Sequence, residues 1–279
     1  MTTFARMAAA GALSLVALAP CAHAGSVTQP GETVGLAAGA PLPEGVYFVN
    51  TADWGCRNTS PEDTCVGVDI PVLAWATPVF LLGGRLQLLG AMPLIEVGVE
   101  GTDYTSGFYN PFLAAQLAWD LGNGFGVSYM AGFYVGVNTS VAFDSTSFNQ
   151  RFAISYTADG WNLTANAIWG IQFEGVTSTI NPNFLNVDLT ATKKIGKFEI
   201  GPVAYYSTDL NNPLPLYRKQ SQFAVGGLIG YDFGPVIAQA YLTTDVYEEN
   251  YGGYDTRLWG RVIVPLWNPQ PARSTLLTK

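Results

Sequence analysis

Histidine and cysteine carry much of protein catalysis and metal binding, and this chain holds only one histidine and three cysteines. His23 and Cys21 fall within the first 24 residues. There Arg6 precedes the apolar run Met7–Ala19, Pro20 breaks it, and Ala22-His23-Ala24 forms an A-x-A cleavage pattern. The run is too short to span a bilayer as a helix, so residues 1–24 read as a Sec signal peptide. The rival reading is a lipoprotein signal ending at Cys21, which Pro20 just before it opposes. After cleavage at Ala24 no histidine remains, and a serine nucleophile would lack its usual base. Two cysteines without histidine make a poor metal site. The expectation is a protein without enzymatic activity, cofactor or metal.

The remaining candidates are few. Cys56 and Cys65 flank Arg57–Thr64, and in an oxidising compartment they are expected to form a disulfide that stiffens a loop. Arg85, Arg151 and Arg261, with Asp188 and Asp245, stand among small polar residues in alternating stretches. They would line a pore as a selectivity filter or pair as lumen salt bridges, and the sequence favours neither. Asn211–Tyr217 is proline-rich and apolar. Pro213, Leu214, Leu216 and Tyr217 are a candidate solute-capture loop if the segment folds inward, whereas packing on neighbouring loops is the plainer reading.

Composition decides which scaffold must hold these groups. Charged residues are 12% and aromatics 13%, with 31 glycines, against about 25% charge in a soluble domain. Removing the leader takes Arg6 and no acid, so the net charge moves from −8 to −9. A chain so poor in clustered Lys and Arg is excluded as a nucleic-acid binder. No later stretch supplies about 20 consecutive apolar residues for a helical span. A closed β-barrel needs only alternating apolar residues and satisfies every backbone group in lipid.

The alternation is visible. Trp161, Leu163, Ala165, Ala167, Trp169 and Ile171 oppose Asn162, Thr164, Asn166, Ile168 and Gly170; Phe125–Val137 and Leu185–Thr192 behave likewise. Tight turns at 82–84, 121–124, 159–160, 195–197 and 232–234 alternate with long connections near 54–66, 101–110, 138–147, 173–183, 208–219 and 247–254. The reading is all-β: an antiparallel transmembrane barrel of twelve strands with short periplasmic turns and long extracellular loops. The strands are placed at 44–53, 67–80, 85–99, 111–120, 125–137, 148–158, 161–172, 184–193, 197–207, 220–231, 235–246 and 255–266. Pro71, Pro78 and Pro93 predict irregularity in the second and third. Residues 25–43 read as a periplasmic lead-in, 44–267 as the barrel and 268–279 as a tail. Trp119, Trp161, Trp169, Trp259 and Trp267, with Tyr205 and Tyr206, are expected in the interfacial girdles. A soluble β-sandwich or lipocalin-like barrel would place charges on the outer face, and the faces here carry few.

Short motifs add a resemblance. Pro43–Asn50, Ala76-Thr77-Pro78 with Leu82-Gly83-Gly84 and Pro93-Leu94, Asn110-Pro111-Phe112, Gly201–Tyr206 and the closing Arg261–Trp267 resemble the phenol meta-degradation-pathway family of outer-membrane transporters. The resemblance covers nearly the whole mature chain. It implies a twelve-stranded-type barrel that passes small, often aromatic or hydrophobic, molecules. It defines no functional residue to carry over, and the 268–279 extension departs from barrels that end on an aromatic residue, a place Trp267 fills here.

The leading expectation is thus an outer-membrane channel for small solutes, surrounded by lipid and lipopolysaccharide. The alternative is a structural or adhesive barrel whose acidic loops (Glu62, Asp63, Asp103, Asp144, Glu174, Glu248 and Glu249) contact cations, lipopolysaccharide or other cells. The oligomeric state is left open.

Overall fold

The computed structural model describes residues 26–176 and 181–269; the leader and residues 270–279 lie outside the described residues. One antiparallel sheet runs in the order β1-β14-β13-β12-β11-β10-β9-β8-β7-β6-β3-β2, with β4 and β5 beside β2, and the β1–β2 pairing closes it into a barrel. The segments are β1 Gly45–Arg57, β2 Thr64–Leu81, β3 Gly84–Ala91, β4 Leu94–Val99, β5 Thr105–Phe108, β6 Phe112–Gly122 and β7 Phe125–Tyr134. They continue as β8 Ser147–Tyr156, β9 Trp161–Gln172, β10 Phe184–Ile195, β11 Phe198–Asp209, β12 Ser221–Asp232, β13 Ile237–Glu249 and β14 Asp255–Trp267. β3 and β4 are one wall strand interrupted at Met92-Pro93, and β5 and β6 are another interrupted at 109–111. The wall therefore has twelve strands. Proline removes a ladder donor, and the breaks fall where prolines stand. A register shift lies between Ala76 and Phe80 around Pro78, and the Tyr109 amide donates to the Pro93 carbonyl at 2.8 Å across the interrupted pair.

Side-chain period two does the rest. On β9, Leu163 and Trp169 are exposed outward while Thr164, Asn166, Ile168 and Gly170 are buried inward. On β7, Phe125 and Phe133 face out and Ser128, Met130 and Tyr134 face in. The outer wall carries exposed Leu73, Leu113, Phe152, Ile200, Leu242 and Leu258. Such a surface suits hydrocarbon, and ring closure leaves no strand edge unpaired in lipid.

The strands outrun the sequence reading at the long-loop end. β1 continues to Arg57 and β2 restarts at Thr64, so the 54–66 loop shrinks to 58–63. Cys56 and Cys65 are direct cross-strand partners and are bonded, so the bridge ties the β1–β2 hairpin rather than a free loop. Both strands leave the bilayer here, and the loss of lipid-facing alternation hides their continuation. Breaking the bridge with Cys56→Ser should lower stability by about 2–3 kcal/mol, as for a short closed loop. Urea midpoints of the two forms check this; equal midpoints would mean the barrel ladder alone fixes the hairpin.

Candidate functional site: a lumen filled by the N-terminal segment

Residues 25–43 are expected as a periplasmic lead-in, and here the structure corrects the reading. Ser26–Ala40 lies inside the ring, with Thr28 and Val34 fully buried. The segment forms no strand. Successive turns (Glu32 amide to Gln29 carbonyl, Leu36 to Thr33, Ala40 to Ala37, 3.0–3.1 Å) curl it up the bore. Its remaining backbone groups need partners, because buried amides and carbonyls are costly when unpaired. The wall provides them from many strands. Asn186 Nδ2 donates to the Thr28 carbonyl at 3.2 Å, and the plug's hydroxyls are held too, Ser26 Oγ by Asn186 Nδ2 at 2.8 Å and Thr28 Oγ1 by Asn149 Nδ2 at 3.0 Å. The Gly35 amide donates to Thr190 Oγ1 at 2.7 Å, and the Gly39 amide to Ser155 Oγ at 2.9 Å. Gln116 Nε2 and Ser128 Oγ both reach the Ala38 carbonyl. Gly31 must be glycine: its φ is +90°, and a Cβ there would stand 2.6 Å from the Tyr205 ring.

Three of the five charged residues singled out from sequence grip this plug. Asp188 accepts from the Gly31 and Thr33 amides, each at 2.9 Å, and from Thr33 Oγ1 at 2.5 Å. Arg151 pairs with Glu32 of the plug at 2.7 Å. Arg261 donates to the Val34 and Glu32 carbonyls at 2.5 Å each, and to Gln239, Tyr241 and Thr51 of the wall. Arg85 stands apart at the periplasmic mouth, donating to the Thr77 carbonyl at 2.8 Å over the Phe80 ring, with Glu44 4.0 Å away.

Asp245 belongs to a second cluster on the β1–β14 closing seam and β13. Arg257 bonds Asp53 and, at 2.8 Å, Asp255; Arg57 lies 3.3 Å from Asp245 and 3.5 Å from Asp255. Gln29 of the plug donates to Asp53 at 3.3 Å, joining the two clusters. Asp53, Arg57, Asp255, Arg257 and Glu32 were not singled out from sequence. For the first four the signal is there in retrospect: β1 carries Asp53 and Arg57, and β14 carries Asp255, Arg257 and Arg261, each set in phase on the lumen face.

Aromatic side chains also line the bore. Trp259 and Tyr205, expected in a girdle, are 1% and 2% exposed and face the lumen; Trp259 stacks on Tyr241 with centroids 5.0 Å apart. Val34 and Gly31 of the plug lie against this group. Trp161, Trp169 and Trp267 are exposed on the outer face. The Asn211–Tyr217 loop does not enter the lumen: Leu214 and Leu216 are 56% and 95% exposed, while Tyr217 donates to Asp209 at 2.5 Å. Burial, and then the Asp209 carboxylate, raise the Tyr217 phenol above its ordinary pKa.

A closed antiparallel barrel with an apolar exterior and a polar interior is an outer-membrane-type β-barrel. The chain belongs to the family described as "Putative MetA-pathway of phenol degradation", which it matches over residues 37–262. Among solved structures it is similar to an outer membrane channel from Pseudomonas putida F1, at 15% identity and TM-score 0.67, covering 85% of this chain and 99% of that one. It is also similar to the translocator domain of the autotransporter NalP from Neisseria meningitidis, at 12% identity and TM-score 0.50, covering 81% and 90%. No curated protein matches the sequence. The likenesses show the fold, a closed barrel of outer-membrane type, whose wall here has twelve strands.

Proposed function

We propose that this protein is a passive outer-membrane channel for small apolar or aromatic solutes, held closed by its own N-terminal segment. The observation that carries the reading is the way the lumen is filled. The plug is a strandless segment held by side-chain hydrogen bonds and the Glu32–Arg151 ion pair, with no ladder to the wall among the described residues, so it can leave while the barrel keeps its own pairing. The name of the family, a phenol-degradation pathway, and that of the Pseudomonas putida relative, an outer membrane channel, support the solute class and the passive mode. Once the plug withdraws, Arg85, Arg151, Asp188, Asp245 and Arg261 are among the charges a solute meets, and in a low-dielectric wall they discriminate strongly. A serine–histidine hydrolase reading gains nothing from the chain, whose single histidine, His23, lies within the expected cleavage motif.

The test is conductance in a planar bilayer. The mature protein should be closed most of the time, and a variant lacking residues 26–40 should conduct steadily. If the deleted barrel folds, as judged by heat-modifiable migration, and still passes no current, the channel reading fails and the structural or adhesive alternative takes its place.

A further inference from the structure

Most inward positions of the wall near the plug are polar: β8 to β10 present Ser147, Asn149, Arg151, Thr164, Asn166, Asn186, Asp188 and Thr190. Against that background Val27, close to the start of the plug, sits in an apolar recess. It is 4% exposed and packs with Tyr109, Phe112, Met130, Tyr134, Ile168 and Phe184. Ile168 and Phe184 are fully buried. Phe112 and Tyr134 stack with centroids 4.4 Å apart at 27°. The Arg151 guanidinium lies 4.8 Å from the centre of the Phe112 ring and donates to the Tyr134 hydroxyl at 3.2 Å. Gly170 makes room for Phe184 to lie flat, because a Cβ at Gly170 would come within 2.0 Å of that ring. The recess is therefore shaped by ring faces with a polar rim, while its present occupant is a single isopropyl group.

Two physical facts set what else would enter. A buried valine side chain holds its place by its small apolar area alone. A small aromatic molecule buries more apolar area and adds ring–ring contacts. The occupant is also the part of the plug that is easiest to move. Cleavage after Ala24 would leave only Gly25 and Ser26 ahead of Val27, and chain ends fray first. Ser26 and Thr28 are held by Asn186 and Asn149. The stronger anchors, Asp188, Arg151 and Arg261, grip residues 31–34 further down.

We propose that the Val27 recess is a binding site for a small uncharged aromatic solute, which enters by displacing the first residues of the plug and so favours its release. This rests on the channel reading only for the identity of the solute. Because the solute binds the form with Val27 withdrawn and not the form with Val27 seated, it shifts the population toward withdrawal. Val27 is then a place-holder that keeps the recess dry and closed when no solute is present.

Calorimetric titration of toluene into the mature protein in detergent tests the site apart from conductance. The variant lacking residues 26–28 has no competitor and should bind toluene about tenfold more tightly than the whole mature chain. Val27→Phe supplies its own ring and should bind about tenfold more weakly, with Val27→Leu in between should the phenylalanine variant not fold. Equal affinities across the series overturn the recess as the site, even if removing residues 26–40 gives a conducting barrel. Affinities in the expected order in a barrel that never conducts uphold the site and overturn the channel reading instead.

Discussion

Asp188→Ala is expected to open the channel. Asp188 is the one wall residue that accepts three hydrogen bonds from the described plug, two of them from the backbone amides of Gly31 and Thr33. The same stretch is also held by Arg151, through Glu32, and by Arg261, through the Val34 and Glu32 carbonyls. Alanine leaves two buried N–H groups without an acceptor. Each such loss costs about 1–3 kcal/mol, and bonds to a charged group lie at the upper end. A total near 3–5 kcal/mol moves the ratio of seated to released plug by about two to four powers of ten. The barrel should keep its stability, because Asp188 takes no part in strand pairing through its side chain. Single-channel recording should show long openings in Asp188→Ala and brief ones in the parent. The same substitution in a chain already lacking residues 26–40 should change open time little, since the group it holds is gone. A channel that stays shut with Asp188→Ala would mean that Arg151 and Arg261 suffice to seat the plug.

The second large effect is on the barrel itself. Arg257→Ala should destabilise it by about 3–5 kcal/mol, the usual cost of removing one member of a buried charge pair. Arg257 is 7% exposed and bridges Asp53 of β1 to Asp255 of β14, the two strands whose pairing closes the ring. Without it, Asp53 is left with Gln29 as its partner, and Asp245 and Asp255 share the guanidinium of Arg57. Replacing Asp53 by asparagine together with Arg257 by methionine should recover much of the loss, because no charge at that end of the cluster is then left unpaired. The contrast is Lys194 with Asp232 near a periplasmic turn, at 3.2 Å but 42% and 31% exposed. Such a pair contributes about 0–1 kcal/mol, so Lys194→Ala should pass almost unnoticed. Urea unfolding in lipid vesicles checks all three, and an unshifted midpoint for Arg257→Ala would show the seam to be held by its ladder alone.

The sequence by itself determined the wall. Period-two alternation in Trp161–Ile171 and Phe125–Val137, of which the strand keeps Phe125–Tyr134, with tight turns such as Leu121–Gly124, assigns side chains to lipid or lumen without reference to any distant residue. Those are local properties, and the structure repeats them nearly position for position. Low charge without an apolar helix then leaves closure as the way to satisfy the backbone in a membrane. The tertiary structure decided what fills the bore. Ser26–Ala40 has no periodicity, and its glycines and alanines read as a loose linker. Its partners, Asn149, Asp188 and Arg261, lie more than a hundred residues away and meet only when the ring closes around the segment. The same holds for Trp259 and Tyr205. Their aromatic character suits an interfacial belt as well as a lumen, and only strand register tells the two apart, since a shift of one residue turns a side chain to the opposite face.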